Sequence, residues 1–192
     1  GWNRNRTRLI PNTSTSLQTI SEEALQTFIE NLRPIVKCAE QFGVIIAIEP
    51  VWKHIVCTVE RARKVLDAID SPNLQIIFDP VNLLCVDNID RQDEIINQAF
   101  ELLGDEIAVV HCKDYVVEGN ELKSIAAGTG SLNYPLLLKK IKEHKPYVHC
   151  TLENTVPENA AATKEFMEKL TLPYRVVFFV SEYIMVIIFP IQ

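Results

Sequence analysis

The sequence predicts an α/β fold of parallel strands joined by helical crossovers, curling toward a (β/α)8 TIM barrel rather than lying as an open doubly wound sheet. Three observations carry this. Short apolar runs alternate with amphipathic helical segments along most of the chain. The spacing of those runs corresponds to about one βα unit each. Four successive runs end on Glu49, Asp79, His111 and Glu153, each at the carboxyl end of its strand. Strand ends in an open sheet lie along a line, whereas in a barrel they converge on a common mouth, the face where barrel active sites sit.

Taken in order, Ser21 caps a helix over 21–42 with Glu22 and Glu23 in its first turn, Pro34 as a kink and Gly43 as its stop. VIIAIE (44–49) is the first strand, Thr58 caps a helix to about Asp70, and LQIIFD (74–79) is the second strand. A helix from about Asp90, with Asp93 placed for a capping box, runs to Gly104. IAVVH (107–111) is the third strand, followed by a loop containing GTG (128–130) and a helix from about Asn133 to His144. YVHCTLE (147–153) and a helix from about Glu158 to Leu170 complete the series. Side-chain alternation along strands places Glu49 with Ala47 and Ile45 on one face, and Glu153 with Thr151 and His149. Ile46, Ile48, Cys150 and Leu152 are left for the helix layer, and His149 is expected as a satisfied core histidine in the barrel floor.

Composition narrows the function classes. At 192 residues, 47% hydrophobic and 23% charged, the chain is ordinary globular material with room for one sizeable domain. A net charge of −6 offers no electrostatic footprint for nucleic acid or anionic lipid, so a small partner is expected. Cys38, Cys57, Cys85, Cys112 and Cys150 are odd in number and form no C-x-x-C pair, which predicts reduced, mostly buried thiols and a cytoplasmic setting. No secretory signal opens the sequence, and no membrane association is expected.

A single acid at a strand end is ordinarily a turn or cap residue. Four candidate ligands at equivalent positions of successive units are a different matter. Three carboxylates and one imidazole form a hard, oxygen-rich set suited to Mn²⁺ first, with Mg²⁺ or Co²⁺ as alternatives, rather than to a structural zinc. Such a cation polarises a carbonyl and stabilises the enediolate formed when the neighbouring carbon loses a proton, which is sugar isomerase chemistry.

The segments IEPVWKHIVCTVERARKVLD, IIFDPVNLL, VVHCKDY, GTGSLNY and TLENT, in this order and spacing, resemble the consecutive motifs of the xylose isomerase-like superfamily of sugar isomerases and epimerases. The likeness includes ketose 3-epimerases and sugar-phosphate isomerases/epimerases, and runs from about residue 1 to 170. It implies a TIM barrel whose divalent metal is held by Glu49, Asp79, His111 and Glu153, with the two glutamates, on strands 5 and 8 of the family's barrel, also acting as the acid/base pair. That arrangement leans toward epimerisation and leaves aldose–ketose isomerisation open. Asn82 stands where ketose epimerases of the family often carry a substrate-binding His, and Val117 where they often carry an Arg. Asn82, Lys113, Asp114 and Lys53 are therefore the candidate substrate-binding residues, weighed against solvated loop for Lys113, Asp114, Lys53 and His54. The GTG glycines either bring backbone N–H groups toward a phosphate or form a tight turn.

A complete barrel needs about 250 residues. The sequence supplies four clear strands, and GWNRNRTRLIPN resembles the loop leaving strand 4, so a partial barrel of about strands 5–8 is expected over 1–170. Residues 171–192 form an atypical apolar tail, read as strand or aggregation-prone segment and as the product of altered splicing, a frameshift or a gene-model error. Bare sheet edges leave a homo-oligomer open. The expected partner is a small sugar or sugar phosphate. The alternative function is a non-catalytic fragment or interaction module derived from such a barrel, and behind it a metal-dependent endonuclease of the same superfamily.

Overall fold

The computed structural model describes residues 21–171 and 178–180. Helix α1 (Glu22–Phe42) starts where the Ser21 hydroxyl accepts the Ala24 N–H at 3.0 Å, and it stops at Gly43, whose φ of 64° turns its N–H back onto the Ala39 and Glu40 carbonyls. Pro34 lies inside it, and the helix continues on both sides as one segment. Leu25, Ile29, Leu32, Val36 and Ala39 recur at helical spacing and are buried.

Strand β1 (Ile46–Ile48) is shorter than the expected 44–49, since Val44 and Ile45 are exposed ahead of it. Helix α2 (Val59–Ile69) is capped by Thr58 and ends on Asp70, a non-glycine residue at φ 53°. Strand β2 (Leu74–Phe78) leads into a 3-10 turn at Val81–Leu83, which Pro80 opens with φ −61° and ψ −34°. Helix α3 (Gln92–Leu103) follows a 3-10 turn at Ile89–Arg91. Its start has no side-chain cap: Asp93 accepts instead from the Asn133 side chain at 2.9 and 3.1 Å, so the capping box is not formed.

Strand β3 does not end at residue 111 but runs through Ile107–Glu118, then returns through Gly119 and Asn120 as antiparallel β4 (Glu121–Ala126). Gly119 takes φ 63°, a conformation tight hairpins demand. Helix α4 (Tyr134–His144) begins at Asn133, whose side chain accepts the Leu136 N–H. Strand β5 (His149–Leu152), helix α5 (Pro157–Thr171) and strand β6 (Phe178–Val180) complete the described elements.

All the strands but β4 are parallel and lie in sequence order, β1-β2-β3-β5-β6, with β4 hydrogen-bonded to β3 outside that path. The order never reverses. A doubly wound sheet must reverse at its switch point, whereas steady progression with a helix at each step is the course of a barrel wall. The core lies between sheet and helices: Ile46, Ile48, Leu74, Ile76, Phe78, Val110, Cys150 and Leu152 meet Val65, Leu66, Ile96, Phe100, Leu137 and Ile141, as side-chain alternation requires. Phe78 and Phe100 pack edge to face at 5.5 Å.

Residues 178–180 of the tail are strand, a fifth parallel one beyond the four expected, while the rest of 172–192 and the segment 1–20 lie outside the described residues. All five cysteines are free; Cys85, Cys112 and Cys150 are buried, Cys57 is intermediate and Cys38 exposed. His149 is exposed rather than a core residue, because it opens β5 at the amino edge of the sheet beside Tyr147, which is 95% exposed. Among the described residues no helix is long and apolar enough to cross a membrane.

Candidate active site

The sheet delivers its polar side chains to one rim. Glu49 follows β1, Asp79 follows β2, His111 lies in β3 and Glu153 follows β5, with the Glu153 N–H bonded to the Cys112 carbonyl at 3.1 Å. His111 is the hub: its Nδ1 lies 2.8 Å from Glu153 Oε1, 3.2 Å from Glu49 Oε1 and 3.9 Å from Asp79 Oδ2. One ligand atom each of Glu49, Asp79 and His111 falls within 4.8 Å of the others, the spacing a single cation requires, and Glu153 lies outside that set while sharing His111.

The two oxygens of Asp79 have different occupations. Oδ1 accepts the N–H groups of Val81 and Asn82 at 2.9 and 3.2 Å, which fixes the turn opened by Pro80. Oδ2 is buried and meets two positive groups rather than a well-directed donor: Lys113 Nζ at 2.7 Å, poorly placed for hydrogen bonding, and His111 Nδ1 at 3.9 Å. A buried carboxylate oxygen with no well-directed donor is costly even beside an ammonium, and here it lies with a second carboxylate and an imidazole in the arrangement a hard divalent cation fits. The donor set therefore fits a metal, which Glu49, Asp79 and His111 could hold.

Lys113 is no solvated loop residue. It sits two positions beyond His111 in β3, so it shares that side of the strand, with only 7% of its side chain exposed and Nζ 2.9 Å from Glu153 Oε2. Tyr134, itself buried, donates its hydroxyl to the Lys113 carbonyl at 2.9 Å. The alternation VVHCK holds the signal for Lys113, had the strand been continued past His111.

Electrostatics follow from this packing. Burial pushes the Asp79 carboxyl up to about 6, against the Lys113 charge and with the added repulsion of Glu49 and Glu153. For His111, burial lowers the imidazole, but hydrogen bonding to Glu153 and Glu49 outweighs it and holds the group up to about 9. Glu153 is held down to about 2, first by its bond with His111 and then by Lys113, despite partial burial. Burial opposes the Lys113 charge too, and the neighbouring Asp79 and Glu153 more than offset it.

The remaining candidates divide. Asn82 lies in the turn after β2 and donates its side-chain N–H to Glu49 Oε1 at 2.8 Å, so it reaches the cluster and orients a carboxylate there. Lys53 and His54 are exposed in the loop after Glu49, Lys53 at φ 74° with Nζ 4.4 Å from the Trp52 ring centroid. Asp114 is diverted: its carboxylate accepts from the backbone N–H groups of Tyr115, Gly128, Gly130 and Leu132 at 2.8–3.1 Å. The same bonds answer the phosphate reading of GTG, since two of its amides are already committed to Asp114. Val117 stands exposed on the β3–β4 hairpin, paired with Leu122.

Comparison with known proteins gives this geometry a context. The chain is 32% identical over 104 residues to a 3-oxo-isoapionate decarboxylase of Pectobacterium atrosepticum, covering 51% of this chain and 36% of that protein. It is 24% identical over 131 residues to a probable L-ribulose-5-phosphate 3-epimerase of Mycoplasma pneumoniae, covering 68% of this chain and 40% of that one. Among solved structures, a D-tagatose 3-epimerase-like protein superposes with a TM-score of 0.62 at 25% identity, over 76% of this chain and 54% of its own. The chain thus spans well under two thirds of the length of these relatives. The profile of xylose isomerase-like TIM barrels matches residues 7–170, and the chain belongs to that family.

Proposed function

We propose that the chain carries the catalytic rim of a metal-dependent isomerase or epimerase acting on a sugar or sugar phosphate. The observation that carries this is the meeting of three strand-end carboxylates on His111, with one Asp79 oxygen buried and lacking a hydrogen-bond donor. A 3-epimerase-named relative and a 3-epimerase-like neighbour support the class, and a decarboxylase-named relative shows that the family's scaffold serves other reactions too.

When bound at Glu49, Asp79 and His111, with Glu153 beside them, a divalent cation (Mn²⁺, or Mg²⁺ or Co²⁺) would polarise a substrate carbonyl and favour charge on its oxygen. The chain's own residues do the proton work. Glu49 and Glu153 follow the first and fourth strands of the parallel series, with β2 and β3 between them. One carboxylate takes the proton from the carbon next to the carbonyl, and the bonding pair moves into the enediolate. The other, entering the step as the carboxylic acid, gives its own proton to the opposite face, and the carbon inverts, leaving the two groups with exchanged protonation states. Asn82 holds Glu49 in one orientation, while Lys113 sets Glu153 and offers an ammonium to a substrate oxygen.

The test is loss of the C3–H signal of L-ribulose 5-phosphate in D2O, followed by NMR with the full chain and Mn²⁺. Exchange is expected, and Glu153→Gln should slow it about 10²–10⁴-fold. A folded chain that takes up no Mn²⁺ and exchanges no proton would overturn the reading.

A further inference from the structure

The chain leaving Glu49 forms a tight loop before α2. The Val51 N–H bonds to the Val56 carbonyl at 2.9 Å and the His54 N–H to the Val51 carbonyl at 3.0 Å, so the intervening residues project as a closed turn. The Trp52 N–H bonds to the Asn82 carbonyl at 2.8 Å, and the Asn82 side chain donates to Glu49 Oε1. One residue thus ties both the loop and a carboxylate of the cluster. At the tip, Lys53 holds φ 74°, a conformation in which a residue with a Cβ is strained. Strain of this kind persists where the surroundings impose it, and it collects at ligand clamps.

The Lys53 ammonium has no carboxylate within ion-pair distance among the described residues; it rests over the Trp52 ring, which is 36% exposed. An exposed cation on an indole face is weakly held and is easily drawn to a full negative charge. In the neighbouring cluster both cations are already paired, Lys113 with Asp79 and Glu153 and His111 with Glu49 and Glu153. A phosphorylated substrate entering this mouth needs a positive group outside the cluster, and Lys53 is placed on the loop that Asn82 pins to it.

We infer that Trp52 and Lys53 form a specificity lip selecting a ketose phosphate over the free ketose: the indole face takes the apolar C–H side of the sugar, and Lys53 moves off the ring onto the phosphate. The inference rests on the sugar reading of the neighbouring site.

Trp2→Phe leaves Trp52 as the sole tryptophan of the two in the sequence, so its fluorescence reports on the lip alone. Titrations in Mn²⁺ with L-ribulose 5-phosphate, L-ribulose and inorganic phosphate should show half-saturation by the phosphate ester at a concentration about tenfold or more below that for the free ketose. Inorganic phosphate should compete with the ester. Lys53→Met should bring the two sugars to equal affinity. Lys53→Gly, which accepts positive φ, should lose the same preference with a Tm no lower than the parent's. Equal affinities in the parent, a preference that survives Lys53→Met, or a lower Tm for Lys53→Gly would overturn the lip. The two readings separate cleanly: preference for the ester without C3–H exchange supports the lip and removes the epimerase, whereas exchange of L-ribulose as fast as of its phosphate keeps the epimerase and removes the lip.

Discussion

Asp79 shows how a single residue divides its work. One oxygen builds the turn that positions Asn82, and the other is buried against Lys113 and His111. With no cation bound, the charges of this cluster balance through protons. His111, raised to about 9 from an ordinary 6.5, gains its partners in the folded state, so the stability it contributes is full below pH 6.5 and lost as pH rises through 9. Glu153, lowered to about 2 from 4.5, contributes above pH 4.5 and loses that contribution as pH falls through 2. Asp79 has the opposite sign for an acid: raised to about 6 from 3.8, it makes folding less favourable as pH climbs through that interval. The metal-free chain is therefore expected to be most stable at about pH 4, losing stability below it through Glu153 and above it first through Asp79 and then through His111, measured by urea midpoints across pH. A cation requires neutral His111 and ionised Asp79, so its binding must expel a proton near neutrality. Calorimetric titration of Mn²⁺ in buffers of different ionisation enthalpy should detect about one proton released at pH 7.5, with affinity rising about tenfold per pH unit from 6.5 to 8.5. A flat affinity over that range would show that His111 is not a ligand.

At the scale of elements, local chemistry was legible where a residue acts on its immediate neighbours in the chain. Ser21, Thr58 and Asn133 cap the helices they precede, and Gly43 ends one, because each bonds backbone groups within four residues of itself. Asp93 was misread because its partner, Asn133, lies 40 residues away. The β3–β4 hairpin was missed although Gly119-Asn120 is a turn pair, since the apolar run at 107–111 looked complete before it. Asp114 is the costliest part of that miss, because its role exists only once the hairpin and the GTG loop fold together. Its four amide bonds are charge-assisted, so Asp114→Asn should destabilise the chain by about 3 kcal/mol by chemical denaturation. Gly130→Ala tests the same loop by sterics: a Cβ there runs into the Tyr115 carbonyl and the Asp114 carboxylate, and should cost about 1–3 kcal/mol. A variant of Asp114 as stable as the parent would show that the loop is held by other means.

Over the whole molecule, strand order explains why residues far apart in sequence meet at one rim. Since β1, β2, β3 and β5 stand side by side in sequence order, residues at equivalent heights on them are neighbours, and this is why Glu49, Asp79, His111 and Glu153 are legible in the sequence as one set, although β3 runs on past His111. The alternation pattern could not rank them, and only packing shows that Lys113 and His111 draw Glu153 aside from the triad. The same layout makes the candidate metal a clasp. Glu49 directly follows β1, which has only β2 as a strand partner among the described residues, and a cation shared by Glu49, Asp79 and His111 would tie that strand to β2 and β3 through side chains as well as through the ladder. A ligand that binds only the folded chain stabilises it by about 2.7 kcal/mol at one hundred times its Kd. For a chain of this size each kcal/mol is worth about 2–4 °C, so saturating Mn²⁺ should raise Tm by about 5–10 °C. The amides of Ile46–Ile48 should show the largest gain in hydrogen-exchange protection, because of the three strands the cation would join β1 alone has a single strand partner among the described residues. Asp79→Asn should abolish both effects while removing the repulsion among the carboxylates, so the metal-free variant should melt no lower than the metal-free parent. Protection spread evenly over all strands, or a Tm insensitive to Mn²⁺ in the parent, would show that no cation bridges them.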